Sequence, residues 1–146
     1  MNNVDPSIIS KLISPQPGVR LIWDPIKPYI KDKKGRLIKN QRWEKKDIDW
    51  VKHLSGELKQ GGNLANNGKA SALVVDIDQE VAAKDICAEA YKVDNEIVCV
   101  PSPSKRWHLW KFFEEPQPLK KVAAEAKRLE RIFKNKKYDV DTGKTN

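Results

Sequence analysis

The run from Ala72 to Asp78 constrains the fold of this chain more than any other segment. It reads Ala-Leu-Val-Val-Asp-Ile-Asp, an apolar strand pattern that ends in two aspartates, although strands disfavour aspartate. Because side chains alternate between the two faces of a strand, Asp76 and Asp78 share one face. Two like charges held side by side usually need a cation, so the pattern predicts a metal-binding edge of a sheet.

The segments that follow predict a β-α-β-β-α-β order. Residues 80–91 have helical apolar spacing, 96–100 form a second strand, and 107–113 form a third strand by their aromatic alternation. In residues 118–134 apolar side chains recur every three or four positions, which predicts an amphipathic helix, and 137–141 form a short fourth strand. We therefore expect an α+β chain with a ferredoxin-like (RRM-like) unit, the split βαβ arrangement.

This order brings the ends of three strands together. The first strand is expected to lie between the third and the fourth and to run antiparallel to both. Its C-terminal end then neighbours His108, the second residue of the third strand, and Asp139 and Asp141 at the two ends of the fourth. We expect Asp76, Asp78, His108 and one or both late aspartates on the sheet face that no helix covers.

Three segments resemble the motifs of the archaeo-eukaryotic primase superfamily, the primase-polymerases. They are Asp76-Ile-Asp78 after an apolar strand, Ser104-Lys-Arg-Trp-His108 at the start of a later strand, and Val140-Asp141-Thr-Gly-Lys-Thr-Asn146 after the second helix. The resemblance covers residues 71–146. It implies catalysis and metal binding by Asp76, Asp78 and Asp141, with Asp139 as a rival third ligand, and nucleotide binding by Ser104, Lys105, Arg106 and His108.

The resemblance also implies an activity. Primase-polymerases transfer nucleotides from NTPs or dNTPs to a nucleic-acid 3′-hydroxyl on a single-stranded DNA template, using two divalent metal ions. Carboxylate-bound Mg²⁺ or Mn²⁺ suits this chemistry, because phosphoryl transfer needs positioning and charge neutralisation more than covalent help. The implied partners are single-stranded DNA, (d)NTPs, and a helicase domain or replication protein, in a mobile replicon such as a phage or plasmid.

Charge supports an anionic partner. The formal net charge is +8 and the sequence pI about 9.5, and the aromatic content favours nucleic acid over lipid. Between Lys27 and Lys59, eleven Lys and Arg residues stand against five acids, which fits either a template backbone or an ordinary solvated surface.

No apolar stretch approaches the roughly 20 residues of a membrane span and no signal peptide is visible, so we expect a cytoplasmic protein without membrane contact. Cys87 and Cys99 lack metal-ligand spacing and are expected to be buried reduced thiols.

Two units are expected along the chain. Residues 1–70 would form a small α/β unit with candidate template contacts, including a strand at 19–23, a basic hairpin turn at 31–36 and a helix at 44–58. Residues 71–146 would form the catalytic unit. Because primase-polymerases continue beyond the third motif, the resemblance implies that this unit is truncated at its C-terminus.

Other interpretations remain open. Asp78 could cap the helix that begins near Glu80. The chain could be a non-catalytic nucleic-acid-binding module whose sheet aromatics stack bases. It could also be a replication-initiator endonuclease, but that chemistry needs a histidine pair and a tyrosine nucleophile, and the other histidine, His53, lies on a different predicted helix.

Overall fold

The computed structural model describes residues 12–13, 15–101 and 106–141. The chain divides into two compact units, residues 1–66 and 67–146, so the division falls before the predicted one after residue 70. The reason is that the long strand of the second unit begins early, directly after a turn at Asn67 and Gly68, which both have positive φ angles. The described part is a mixed α+β protein with antiparallel sheets.

Short strands dominate the N-terminal unit. A three-stranded antiparallel sheet has β1 (Arg20–Trp23) at its centre, between β4 (Gln41–Glu44) and β5 (Gln60–Gly61). A separate antiparallel hairpin pairs β2 (Tyr29–Lys31) with β3 (Leu37–Lys39). The predicted strand and the predicted basic hairpin turn are therefore both present.

The helix predicted for residues 44–58 is wrong over most of its length. The structure has only α1 (Trp50–Leu54), which begins after Asp49, whose side chain accepts the Lys52 N–H at 3.1 Å. Glu44 belongs instead to β4, where its carboxylate binds the side chain of Arg20 at 3.1 Å. The apolar spacing that predicted a longer helix has no core to face, since none of the residues of α1 is buried.

The C-terminal unit contains a four-stranded antiparallel sheet in the order β7 (Val98–Pro101), β8 (Trp107–Pro118), β6 (Lys69–Ile77), β9 (Val140–Asp141). As predicted, the first strand of this unit lies between the third and the fourth and is antiparallel to both. The last strand is shorter than the predicted 137–141, because Lys137 has a left-handed φ of 69° that interrupts the extended chain.

The register of β6 and β8 breaks once along their length. Ala72 pairs with Phe112, but Ala70 pairs with Gln117, so residues 113–116 bulge opposite Ser71. Extra residues on one strand disrupt the ladder locally and let the pairing resume beyond them. The strand predicted for 107–113 therefore continues past its predicted end.

Two helices cover one face of this sheet, α2 (Ala83–Val93) and α3 (Leu119–Asn135). Both carry an apolar stripe toward the sheet, as their sequence periodicity predicted. The buried core contains Leu73, Val75 and Ile77 from β6, Trp107 and Leu109 from β8, Val140 from β9, Ile86 and Ala90 from α2, and Val122, Ala126, Leu129 and Phe133 from α3. Among the described residues, no helix is both long and apolar enough to cross a membrane.

Candidate active site

A row of three side chains crosses the sheet at the C-terminal end of β6. Asp76 is the register partner of His108 in β8 on one side and of Asp141 in β9 on the other. Their chain neighbours Ile77 and Val140 are buried in the core under the helices. Alternation along a strand therefore turns Asp76, His108 and Asp141 to the opposite, helix-free face.

A second row lies one step beyond the end of β6. The backbone N–H of Asp78 donates to the carbonyl of Asp139 at 2.8 Å. On the other side, Arg106 Nη1 lies 2.6 Å from Asp78 Oδ1. The two rows bring carboxylates from two strand ends to one edge of the sheet, with an imidazole and a guanidinium across from them.

Asp76, in β6, and Asp78, just after it, each have a basic side chain of the protein beside them. His108 Nε2 lies 3.1 Å from Asp76 Oδ1, and the Asp76 side chain is only 15% exposed. The Arg106–Asp78 pair is more open, with 48% and 46% of the two side chains exposed. Like charges directly opposite each other on a sheet are destabilising, so the basic partners offset part of the acidic density.

Trp107 fixes the start of β8 between these two basic residues. Its indole Nε1–H donates to the Val81 carbonyl at 2.9 Å, and the side chain is only 9% exposed. The structure therefore gives Trp107 an anchoring role. Because side chains alternate, burying Trp107 turns Arg106 and His108 to the other face, towards Asp78 and Asp76.

The two late aspartates occupy different places. Asp141 is in β9 opposite Asp76, whereas Asp139 precedes the strand and has an exposed side chain. The Asp139 backbone N–H donates to the side-chain Oε1 of Gln79 at 2.7 Å. Sequence reasoning missed Gln79, because a single glutamine after a strand carries no periodic or motif signal.

The structure excludes a capping role for Asp78. The helix α2 begins at Ala83, later than predicted, and Ala82 stands at its N-cap with no side-chain hydrogen bond. Asp78 instead continues the pairing of β6 through its backbone and binds Arg106 through its side chain. The Asp78 carboxylate thus belongs with those of Asp76, Asp139 and Asp141, and we call this group the acidic edge of the sheet.

Aromatic side chains continue the helix-free face away from the acidic edge. Trp110 and Phe112 lie two apart on β8 and stack in parallel, with ring centroids 5.8 Å apart and planes at 3°. Trp110 faces Val98 of β7, which is 47% exposed. The face beside His108 therefore offers apolar contact area as well as charge.

The two cysteines differ from their predicted burial. Cys87 on α2 is exposed and Cys99 on β7 is partly exposed, and both are free thiols. Burial, together with the neighbouring Cys87 thiol, raises the pKa of Cys99 to about 12. The expectation of buried thiols is therefore wrong for Cys87 and holds only in part for Cys99.

Ser104 and Lys105, predicted to bind nucleotide, lie outside the described residues. Within residues 12–13, 15–101 and 106–141, no group of three or more His, Cys, Asp or Glu side chains is arranged to hold a metal ion. The carboxylate oxygens of Asp76, Asp78 and Asp141 are nevertheless the donors that Mg²⁺ and Mn²⁺ prefer. The donor chemistry fits these ions, and binding one would require side-chain rearrangement.

The second histidine belongs to the other unit. His53 lies on α1, where its ring packs edge-on against Trp50 with centroids 5.8 Å apart. Partial desolvation lowers the pKa of His53. Its contacts are those of a packed aromatic residue.

Comparisons with known protein families and with curated proteins find no match for this chain.

Proposed function

We propose that the chain is the catalytic core of a primase-polymerase, a nucleotidyltransferase that extends a nucleic-acid 3′-hydroxyl on a single-stranded DNA template. The observation that carries the proposal is the cross-strand row of His108, Asp76 and Asp141, with the Asp78–Arg106 pair beside it. The strand order β7-β8-β6-β9, with both helices packed on one face, supports a ferredoxin-like unit as the finer fold assignment.

The acids of this edge are the proposed metal ligands. Asp76, Asp78 and Asp141 would hold Mg²⁺ or Mn²⁺, with Asp139 as the rival third ligand because it lies beside Asp78. A divalent ion bound there supplies charge neutralisation for the reacting phosphates. Asp76 is the least exposed partner of the two ion pairs, so it would be the best-positioned ligand of the set.

The basic residues of the edge are the proposed triphosphate contacts. Arg106 has a planar fork of donors that matches phosphate oxygens, and His108 can donate one hydrogen bond. Both now contact carboxylates. Substrate binding would move Arg106 and His108 from the acids to the phosphates, and this exchange would free the acids for the metal. Ser104 and Lys105, which precede Arg106 in the sequence, would be the remaining triphosphate contacts.

In the proposed reaction the primer 3′-oxygen forms a bond to the α-phosphorus of the incoming nucleotide. The bond from that phosphorus to the bridging oxygen of the β-phosphate breaks, and pyrophosphate leaves. The hydroxyl proton passes to solvent. The protein's own part is to hold the triphosphate in line with the hydroxyl, which is the main requirement of phosphoryl transfer.

The test is nucleotide incorporation by the chain on primed single-stranded DNA with Mg²⁺ or Mn²⁺. Asp76→Asn and Asp78→Asn keep side-chain size and remove the charge, so each is expected to lower incorporation by about 10³-fold or more. Asp85→Asn makes the same change on the exposed side of α2 and serves as the control. Incorporation that survives Asp76→Asn would contradict the proposal.

A non-catalytic nucleic-acid-binding module is the second candidate. Two observations favour it: the described residues hold no ready three-ligand metal group, and Asp76 and Asp78 are each paired with a basic side chain. A module would bind single-stranded DNA and incorporate no nucleotide with either metal. Its Asp76→Asn variant would bind DNA as well as or better than the original chain, because a negative charge is removed.

A further inference from the structure

We propose that the N-terminal unit binds single-stranded nucleic acid by stacking one base in a cavity lined by both of its sheets. The cavity has a volume of about 190 Å³, and its wall includes Trp23, Pro25, Pro28, Tyr29, Lys39 and Lys59. Sites for drug-sized ligands usually measure about 300–1,000 Å³. The smaller volume suits one planar ring system with its phosphates outside.

Two aromatic–lysine pairs face this cavity. Tyr29 in β2 is the register partner of Lys39 in β3, and its side chain is about half exposed. The Trp23 N–H donates to the Lys59 carbonyl at 3.2 Å, and Lys59 Nζ lies 5.5 Å from the centroid of the Trp23 ring. Single-stranded nucleic acid needs this combination, because bases stack on aromatic rings while phosphates approach ammonium groups.

The Trp23 ring is held in place from the side of β5. A Cβ atom on Gly61 would come within 3.1 and 3.2 Å of two ring carbons, so any larger residue there would press on the ring. A ring fixed before binding loses little conformational entropy when a base stacks on it. Trp23 is therefore the rigid wall of the cavity, and the more exposed Tyr29 is the side that a base can reach.

Acids in the wall do not reverse its attraction for phosphate. Asp24 is engaged locally, since its carboxylate accepts the N–H groups of Lys27 and Ile26 at 3.0 and 2.9 Å, and these bonds hold its pKa below the usual value. Glu57 is the other acid of the wall. Across residues 15–66 the chain has twelve Lys and Arg against six Asp and Glu, and this excess selects a polyanion as the occupant.

The test measures binding of a fluorescent oligothymidylate to the full chain over a range of salt concentrations. Tyr29→Ala is expected to weaken binding about tenfold without changing the salt dependence, and Tyr29→Phe to bind like the original chain. Lys39→Gln and Lys59→Gln are each expected to lower the slope of log affinity against log salt by about 0.7. Lys52→Gln on α1, outside the cavity wall, is the matched control and should leave the slope unchanged.

Two results would overturn this inference. One is Tyr29→Ala binding the oligonucleotide as tightly as Tyr29→Phe does. The other is Lys39→Gln and Lys59→Gln changing the salt slope no more than Lys52→Gln. The inference goes beyond nucleotidyl transfer and does not depend on it. A chain that incorporates no nucleotide but keeps its Tyr29 dependence would refute the catalytic proposal alone.

Discussion

The two units of this chain are stabilised by different interactions. In the C-terminal unit, thirteen buried apolar residues form one cluster between a sheet and two helices. In the described part of the N-terminal unit, Ile22 is the one buried apolar residue. There the centre is polar: Gln60, 6% exposed, accepts from Arg20 Nη1 at 3.0 Å and exchanges two 2.8 Å bonds with the Asp49 backbone.

The difference shows how sequence pattern relates to structure in each unit. An apolar core forces a strict period on its strands and helices, because every second or every third to fourth residue must be buried. A polar centre relies on a few specific hydrogen bonds, which impose no period. The C-terminal unit is therefore legible from sequence, and the N-terminal unit is much less so.

The largest effect should come from the apolar core. Phe133→Ala empties a fully buried position on α3, and we expect it to lower the free energy of unfolding by about 3–5 kcal/mol. Ile22→Ala should cost about 2 kcal/mol, because fewer buried neighbours surround the cavity it leaves. Urea denaturation with amide exchange read separately for each unit measures both values. Equal losses of unfolding free energy from Phe133→Ala and Ile22→Ala would contradict the proposed difference between the two units.

A smaller loss is expected when the polar centre of the N-terminal unit is disrupted. Gln60→Leu keeps a side chain of similar size but leaves groups of Arg20 and Asp49 without their bonds. Buried unsatisfied groups cost about 1–3 kcal/mol, so a total of about 2 kcal/mol is expected. Gln41→Leu makes the same change at an exposed position of β4 and should fall within about 0.5 kcal/mol of the original chain. Faster amide exchange confined to residues 15–66 is the expected signature.

One ionic interaction in the C-terminal unit predicts a pH dependence. Burial pushes the pKa of Asp94 up, but the Lys111 ammonium at 2.6 Å and the Glu96 N–H outweigh it, so the pKa lies below its usual value. A lowered folded-state pKa adds stability that is present above the unfolded value, near 4, and is lost as the pH falls through the folded value. Asp94→Asn should therefore destabilise the chain at pH 7 by about 1.5 kcal/mol.

The Asp94→Asn deficit should shrink in acid, where the original carboxylate is protonated as well. Urea denaturation at pH 7 and again at about pH 2–3 tests this. Asp85→Asn, an exposed acid on α2, provides the comparison variant. A deficit that stays constant across this range would show that the Asp94 charge does not stabilise the fold.

The smallest perturbation is alkylation of the two thiols. Because the pKa of Cys99 is raised to about 12, only about one molecule in ten thousand carries its thiolate at pH 8. Iodoacetamide should therefore modify the exposed Cys87 first, and the partly exposed Cys99 much more slowly. Peptide mass spectrometry of native and urea-treated protein compares the two sites. Equal labelling rates in native protein would contradict the raised pKa of Cys99.

Much of the C-terminal unit follows from local pattern. The alternation of Leu73, Val75 and Ile77 predicted the covered face of β6, and the helical period predicted α3 to within a residue at each end. The predicted strand order, together with the same alternation, placed Asp76 and His108 on one face of neighbouring strands, and the two are register partners. These features depend on burial, which the spacing of apolar residues in the sequence indicates directly.

Other features of the site depend on single contacts and left no pattern. The Gln79 bond to the Asp139 backbone and the anchoring of Trp107 on the Val81 carbonyl each join residues distant in sequence. The choice of partner for Arg106 depends on the exact end of β6, and strand ends are the least predictable part of an element. In the N-terminal unit the polar contacts of Asp49 and Gln60 overrode the apparent helical spacing of residues 44–58.

The bulge of β8 opposite Ser71 divides the β6–β8 ladder into two stretches with separate registers. Side chains of Glu114, Glu115 and Pro116 are exposed there, and the ladder that holds Asp76 against His108 starts only after it. Insertions or deletions among these three residues would be absorbed locally, as at other exposed loop tips. The bulge is accordingly a place to attach a fluorophore or an affinity tag without shifting the alignment of the acidic edge.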